Sequence, residues 1–213
     1  MSFFDRAVDF FEQVQATPFY KRLLQEFVSF IEIRPDMSAV DIGCGPGYLT
    51  RLLAERVKAM SCVDISAAMV QRAREHAREE NVENASYTVG RAENIPEQSE
   101  YFDVAVATSV IYFVEDPVVA LKEMARVVKK GGRVAMMNPS DKMTGRNVIS
   151  YIERHGLGNR EARVLEDWLY AAEGARRFSE HDATRIMSAV GLSQISHERR
   201  LDDMVLFSKA TKV

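Results

Sequence analysis

The stretch VDIGCGPGYLT, residues 40–50, decides the fold of this chain. An apolar run reaches Asp41, three glycines follow at alternate positions, and an amphipathic helical pattern then begins. This order is typical of the strand, tight turn and helix of an α/β nucleotide-binding unit. Glycine has no Cβ, so the backbone of the turn can adopt positive φ and approach a ligand closely. The stretch therefore predicts a ligand-binding turn.

The elements after this turn extend the unit. Apolar residues recur at helical spacing after Gly47, so a helix begins in the turn, and its free N–H groups and dipole favour an anionic group there. A second strand over residues 59–63 closes on Asp64, at about the interval where a Rossmann-type unit presents a carboxylate to ribose hydroxyls. The alternative is that Asp64 is a turn residue before the helix N-cap Ser66.

The spacing of the glycines separates two kinds of nucleotide site. They follow G-x-G-x-G, whereas the dinucleotide fingerprint requires G-x-G-x-x-G. The residues DIGCGPG, 41–47, resemble the first motif of class I S-adenosylmethionine (SAM) dependent methyltransferases. In that family the loop wraps the methionine and ribose end of the cofactor. The resemblance implies that Asp41 orders the loop and receives the amino group of the cofactor.

Three later segments resemble the same family. The loop GRAENIP, residues 90–96, is similar to the segment whose backbone and acid meet the adenine edge. The buried strand 102–108 ends at Thr108 and Ser109, where family members place residues beside the transferable methyl group. The string LKEMARVVKKGGRVAMMNP, residues 121–139, resembles the helix, turn and fifth strand of small-molecule methyltransferases. The resemblance covers about residues 40–139.

The resemblance implies SAM as the cofactor and S-adenosylhomocysteine (SAH) as its product. Two of the implied contacts have a structural alternative: Met69 either lies on the adenine or only packs in the core, and Glu93 either meets the adenine edge or is an exposed loop acid. The cofactor candidates are Asp41, Gly43, Cys44, Gly45, Gly47, Asp64, Ile65, Ser66, Met69, Ala92, Glu93, Thr108 and Ser109.

The remaining patterns complete an α/β fold. A third strand is predicted over residues 85–89, and a helix begins at Asp116 and Pro117 and ends at Gly131, with two lysines before the glycine. A capping box at Ser179 predicts a helix, and the strands 193–198 and 204–210 are close enough to form an antiparallel hairpin. We expect one domain over residues 1–213. Its fold is a Rossmann-like, doubly wound sheet of about seven strands, mostly parallel with a C-terminal antiparallel strand and helices on both faces.

Two helical segments flank or interrupt this core. Residues 1–35 predict two helices, with apolar positions that begin at Phe3, and these either cover the sheet or line a substrate site. The insertion 139–178 contains helical pieces at 147–155 and 160–173, and it is either a lid or substrate wall or a surface helical pair without ligand contact. The substrate candidates are Tyr20, Tyr112, Asn138, Tyr151 and Trp168.

Composition restricts the partners and the compartment. A net charge of −3 over 213 residues disfavours nucleic acid and anionic membrane as partners. The first residues lack a signal-peptide pattern, and the apolar stretch 104–114 is too short for a membrane span, so we expect a cytoplasmic protein. Cys44 and Cys62 do not form a C-x-x-C pair and the histidines are scattered, so neither a disulfide framework nor a metal site is expected.

The sequence therefore predicts a methyltransferase that acts on a small molecule by in-line displacement. A SAM-binding module without catalysis is one alternative, and a nicotinamide-dependent oxidoreductase is another that the glycine spacing and the later motifs disfavour. The catalytic residues are unknown. If the methyl acceptor must lose a proton, Tyr20, Tyr112, His155 and Glu93 are candidate bases.

Overall fold

The computed structural model describes residues 7–213, so Phe3 and the rest of the predicted start of the first helix lie outside the described residues. The strands are β1 (Ser38–Ile42), β2 (Ala59–Asp64), β3 (Ala85–Val89), β4 (Phe102–Thr108), β5 (Val128–Pro139), β6 (Leu192–Arg200) and β7 (Val205–Lys212). The helices are α1 (Val8–Ala16), α2 (Pro18–Ile31), α3 (Tyr48–Ala54), α4 (Ala67–Glu79), α5 (Pro117–Val127), α6 (Gly145–His155), α7 (Asn159–Glu173) and α8 (Glu180–Ala189).

The strands form a single sheet in the order β3-β2-β1-β4-β5-β7-β6. Pairing is parallel from β3 to β5, whereas β7 is antiparallel to both β5 and β6. The mixed Rossmann-like sheet and its reversed final strand are therefore confirmed. The strand order reverses between β1 and β4, and ligands of open α/β sheets bind outside the carboxyl ends of the strands at such a point.

Local sequence explains where several helices begin. The Ser66 hydroxyl accepts the N–H of Met69 at the start of α4, and Asp116 caps α5 in the same way. The predicted capping box is present at Ser179, where the hydroxyl accepts the N–H of Asp182 and the carboxylate of Asp182 accepts the N–H of Ser179. Each such cap stabilises its helix by about 1 kcal/mol.

The predicted end of α5 was wrong. The helix ends at Val127 instead of continuing to Gly131, because the backbone there is hydrogen-bonded to the residue before β4. The N–H of Tyr101 donates to the Val127 carbonyl at 2.9 Å. Lys129 belongs to β5, and its Nζ donates to Oδ1 of Asp103 at 2.8 Å rather than to the last carbonyls of the helix.

The core lies between the sheet and the helices that cover both of its faces. The central strands β1 and β4 are almost completely buried, as expected for parallel strands covered on both sides. On one face, Phe27 of α2 packs edge-on against Phe207 of β7, with ring centroids 5.2 Å apart. Burying such a side chain contributes about 1.5–3 kcal/mol. Part of the N-terminal apolar pattern therefore covers the sheet.

Both flanking segments are helical, as predicted. Thr17 separates α1 from α2, and Pro18 is the first residue of α2. The insertion after β5 folds into α6 and α7, which pack against each other before the chain returns to the sheet through α8. Within residues 7–213 the helices are too short or too polar to cross a lipid bilayer.

Candidate functional site

A cavity of about 480 Å³ opens at the carboxyl ends of β1, β2 and β4, with α1 and α7 on its far side. Its lining comes from the glycine turn, from the segments after β2, β3 and β4, and from the three helices α1, α2 and α7. The lining residues are Phe10, Phe11, Val14, Gln15, Tyr20, Gly43, Gly45, Asp64, Ile65, Met69, Gly90, Arg91, Ala92, Glu93, Thr108, Ser109, Val110, Tyr112, Phe113, Val114, Glu115, Asp167, Trp168, Tyr170 and Ala171.

Two positions of the turn require glycine for different structural reasons. Gly43 has φ +71°, and a Cβ there would lie 2.2 Å from Cγ2 of Val110, so the backbone approaches the segment after β4 too closely for a side chain. Gly45 has φ +54° and lines the cavity, and the nearest atom to a Cβ there is Nε2 of Gln15 at 3.5 Å. Gly45 is therefore the glycine whose open side lies toward the cavity.

The Asp64 carboxylate connects β2 to this turn. Its Oδ2 accepts the N–H of Gly45 at 2.8 Å and its Oδ1 accepts the N–H of Ser66 at 2.9 Å. The bond to Ser66 is the turn role that the sequence left open, and Asp64 also lines the cavity at 7% exposure. A carboxylate oxygen can accept more than one hydrogen bond, so these contacts are compatible with hydroxyl donors from a ligand.

Asp41 lies fully buried beneath the turn. Its Oδ2 accepts the Thr50 hydroxyl at 2.9 Å, while its Oδ1 has no hydrogen-bond partner among the described residues. Burial raises the pKa of this carboxyl to about 7 because the protein replaces the water that would stabilise the charge. Asp41 supports the turn from behind, since the lining of the cavity passes through Gly43 and Gly45 instead.

The adenine-side candidates Ile65, Met69, Ala92 and Glu93 all line the cavity. Met69 is 2% exposed, so it is both a core residue and part of this wall. Ile65 is one of the few large apolar side chains with substantial exposure, at 40%. The Glu93 carboxylate pairs with Arg91 at 3.4 Å, which places an acid and a cation together at this end of the cavity.

The rim after β4 brings Thr108 and Ser109 to the same cavity. Ser109 has φ +57°, an uncommon conformation for a residue other than glycine, and its N–H donates to the Met137 carbonyl at 2.8 Å. The Ser109 hydroxyl lies 3.4 Å from the Tyr20 hydroxyl, at the distant limit of a hydrogen bond. The rim is thus joined to α2.

Opposite the turn, the cavity is lined by aromatic rings. The rings of Tyr20 and Trp168 meet edge to face with centroids 5.6 Å apart, and the ring centroids of Tyr112 and Phe113 are 4.0 Å apart. Burial raises the pKa of Tyr20 to about 12 and raises that of Tyr112 well above its usual range. Both phenols therefore keep their protons near neutral pH and are hydrogen-bond donors there, which does not favour either as a general base.

Other candidates are not part of the cavity lining. Cys44, Gly47 and Ser66 lie behind the wall, and Cys44 and Cys62 are buried free thiols. The three candidates of the substrate side that the structure does not bring to the cavity are Asn138, Tyr151 and His155.

The neighbours of these residues explain their positions. Asn138 is 1% exposed within β5, where β7 covers it through the pairing with Leu206. Tyr151 stacks on His155 at 4.1 Å, and His155 faces Asp202 in the β6–β7 turn. Helix α6 is thus directed away from the cavity, and α7 is the helix of the insertion that lines it.

Several lining residues carried no usable motif. Phe10 and Phe11 belong to a helical apolar pattern, which identifies a buried helix face but not the surface that the face contacts. Glu115 and Asp167 were not identified as candidates, because they meet at the cavity only through tertiary structure. Among residues 7–213, no three His, Cys, Asp or Glu side chains cluster as potential metal ligands.

Comparison with known proteins indicates the same class of protein as the sequence motifs. A family model described as a methyltransferase domain matches residues 40–136. Aklanonic acid methyltransferase DauC of Streptomyces sp. strain C5 is 34% identical over 65% of this chain and 60% of its own length. The ubiquinone/menaquinone biosynthesis C-methyltransferase UbiE of Burkholderia vietnamiensis is 28% identical over 78% of this chain and 71% of its own.

A solved structure agrees at the level of the fold. The SAM-dependent methyltransferase of Aquifex aeolicus superposes with a TM-score of 0.68 at 15% identity, over 89% of each chain. This chain spans between about half and 60% of the length of two curated relatives that it matches. The match to a methyltransferase domain over residues 40–136 agrees with the class I SAM-dependent methyltransferase family that the glycine turn and the later motifs predicted. In this family SAM is the methyl donor and SAH is the product.

The described residues fit this cofactor. Gly45 leaves its side of the cavity open, and the Asp64 carboxylate lies at the same wall. Behind the turn, Oδ1 of Asp41 has no hydrogen-bond partner among the described residues, and it would attract a cationic group bound near the turn. The cavity volume of about 480 Å³ is within the range of small-molecule and cofactor sites.

Proposed function

We propose that this protein is an active SAM-dependent methyltransferase that transfers a methyl group to a small-molecule acceptor by in-line displacement. One observation carries the proposal: a single cavity has the glycine turn, Asp64 and the β4 rim on one side and the rings of Tyr20 and Trp168 on the other. Such a cavity has room for a donor and an acceptor that face each other. The domain boundaries 1–213, with the insertion as a substrate wall, belong to the same proposal.

The residues of the donor side have separate roles in this proposal. Asp64 accepts from the ribose hydroxyls, Asp41 supports the turn and attracts the ammonium group, and Met69 and Ala92 contact the adenine. Bound SAM supplies a methyl carbon that is already electrophilic because it is attached to a sulfonium. The N–H of Tyr48 at the start of α3 donates to Oε1 of Gln15 at 3.3 Å, so the anion site expected at this helix start is not part of the proposal.

The residues of the acceptor side mainly provide orientation. Holding two reactants in line can supply effective molarities of about 10⁵–10⁸ M, so a site without a catalytic triad is sufficient for this reaction. The Tyr20 and Ser109 hydroxyls lie next to each other at the rim and can orient a polar atom of the acceptor. With their raised pKa values, Tyr20 and Tyr112 donate hydrogen bonds and do not remove a proton.

The relatives support a small molecule as the acceptor. The names of DauC and UbiE refer to aklanonic acid and to ubiquinone or menaquinone biosynthesis, which are small-molecule chemistries. The net charge of −3 supports the same proposal, because it provides no electrostatic attraction for a nucleic acid.

Methyl transfer from labelled SAM to a metabolite extract tests this function. The proposal predicts a labelled small molecule with the wild-type protein and loss of labelling in Asp64→Ala. Binding of SAH with no labelled product from any extract would identify the protein as a SAM-binding module without catalysis. Binding of NAD in place of SAH would contradict the donor site itself.

A further inference from the structure

We propose that the acceptor half of the cavity takes a ring-bearing, largely apolar molecule that is neutral or cationic, and that it excludes anions. This inference rests on the proposed function, because it describes the acceptor of that reaction. Three observations carry it: a rigid aromatic wall, the position of the polar groups, and the charges of the cavity lining. We call Tyr20, Tyr112, Phe113 and Trp168 the aromatic wall.

The Tyr20, Tyr112 and Trp168 rings of the aromatic wall are preformed, whereas Phe113 is 37% exposed. Tyr20, Tyr112 and Trp168 are each at most 5% exposed although they line the cavity, so their positions are fixed by packing. Tyr20 meets Trp168 edge to face, and Tyr112 lies against Phe113. Ordered rings lose little conformational entropy when a ligand binds, and they favour the flat faces of another ring system.

One pair of hydroxyl groups lies at the rim end of this wall. The Tyr20 and Ser109 hydroxyls, 3.4 Å apart, are at the rim where the β4 strand ends. Elsewhere the wall is mostly carbon surface, and its other polar groups are the Tyr112 hydroxyl and the indole N–H of Trp168. An acceptor that matches this pattern has an apolar ring body and one hydroxyl or amino group at the end that meets the rim.

The charges of the lining are asymmetric. Arg91 is the one Arg or Lys among the described residues of the lining, and it is paired with Glu93 at the adenine end. On the aromatic side the charged lining residues are Glu115 and Asp167, both exposed at the mouth. Arg176 lies near Glu115, but its guanidinium donates to the carbonyls of Val114 and Glu115 and it does not line the cavity.

This asymmetry determines which charge the acceptor can carry. A carboxylate moved from water to the aromatic wall would lose its hydration without gaining a cationic partner. It would also be repelled, more weakly, by the two solvent-exposed acids at the mouth. A neutral ring avoids both costs, and an ammonium group could remain hydrated near Glu115 or Asp167.

The chain provides its own probe for this proposal, because Trp168 is its only tryptophan. We would titrate the protein, with and without SAH, with para-ethylphenol, tyramine and para-hydroxyphenylacetate, and follow tryptophan fluorescence. The three ligands share a phenol and differ in the charge at the other end. We expect half-saturation by the first two at concentrations at least about tenfold lower than by the acid, which corresponds to about 1.4 kcal/mol.

Adjacent acids on α7 provide a matched pair of variants. Asp167 and Glu166 are both exposed, but only Asp167 lines the cavity. Asp167→Lys should tighten binding of para-hydroxyphenylacetate and weaken that of tyramine, whereas Glu166→Lys should leave the order of the three ligands unchanged. Equal effects of the two variants would contradict a local role of the cavity charge.

The outcomes separate this inference from the proposed function. If SAH binds but para-hydroxyphenylacetate binds as tightly as para-ethylphenol, the inference is overturned and the donor site stands. If SAH binds and none of the three ring ligands changes the fluorescence, the aromatic wall is not an acceptor site. If SAH fails to bind by calorimetry, the proposed function fails, whatever the ring ligands do.

Discussion

The Asp64 carboxylate accepts the backbone N–H of Gly45 at 2.8 Å and so links the end of β2 to the glycine turn. These two residues are 19 positions apart in the sequence. The contact fixes the acid and the turn relative to each other without a ligand. A donor site with this order has less conformational entropy to lose when the cofactor binds, and the predictions below follow from that arrangement.

The first prediction concerns the open side of Gly45. Gly45→Ala should weaken SAH binding about tenfold or more, because the new methyl group would occupy space that the ligand needs. Gly131→Ala is the matched control: Gly131 also has positive φ, at +75°, and a Cβ there meets nothing within 4 Å. Each variant should lose about 1 kcal/mol of stability from backbone strain. Equal SAH affinities of the two variants in calorimetry would contradict a contact between the ligand and Gly45.

The second prediction concerns packing under the turn. Gly43→Ala should destabilise the protein by about 1–3 kcal/mol more than Gly131→Ala, because its Cβ would collide with Cγ2 of Val110. Urea unfolding measures this difference. In a Val110→Ala background part of the loss should be recovered, whereas the same loss in both backgrounds would show that Val110 is not the obstacle.

The third prediction is a pH dependence due to Asp41. Its pKa is raised from an ordinary 3.8 to about 7, so between these values the folded protein keeps a proton that the unfolded chain has released. The associated stability is complete below the ordinary pKa and is lost as the pH rises through about 7. Asp41→Asn should therefore gain stability relative to wild type as the pH rises through this window. A constant difference in unfolding free energy between the two proteins across this pH window would refute the raised pKa of the buried Asp41 carboxyl.

The fourth prediction concerns α1, which carries Phe10 and Phe11 over the cavity. Glu12 of α1 pairs with Arg72 and with Nε2 of His76, at 2.9 Å for the histidine, and so attaches α1 to α4. Glu12→Ala should release SAH several-fold faster, since a partly exposed pair contributes about 1 kcal/mol. Glu75→Ala is the control, because it removes a partner of Arg72 that lies on α4 itself. Stopped-flow release that is equal in the two variants would exclude this attachment as a barrier.

The sequence predicted most of the fold and many of the residues that line the glycine-turn side of the cavity. The turn at residues 40–50, the acid Asp64 and the caps at Ser66 and Ser179 depend on local patterns, and the structure has them in the expected places. The end of α5 was missed because strand pairing with β4 overrides the local stop pattern at Gly131.

The acceptor side was less accessible to sequence reasoning. Tyr20, Tyr112 and Trp168 were among the substrate candidates, and they line the cavity. Tyr151 was a substrate candidate as well, but in the structure it stacks on His155 of the same helix, α6, and does not line the cavity. Which face of a helix in a flanking segment meets the cavity depends on tertiary packing. Neither the composition nor the spacing of residues predicts that face.

Calorimetric titration of SAH into wild type and Asp64→Ala tests the central claim most directly. Asp103→Ala serves as the control, since this acid lies at the start of β4, away from the cavity, and accepts the N–H of Ser38. We predict that wild type and Asp103→Ala bind SAH alike, and that Asp64→Ala loses at least about tenfold in affinity, consistent with about 1.5–3 kcal/mol for each hydrogen bond to a charged group. Unchanged affinity in Asp64→Ala would contradict the assignment of this cavity as the SAM site.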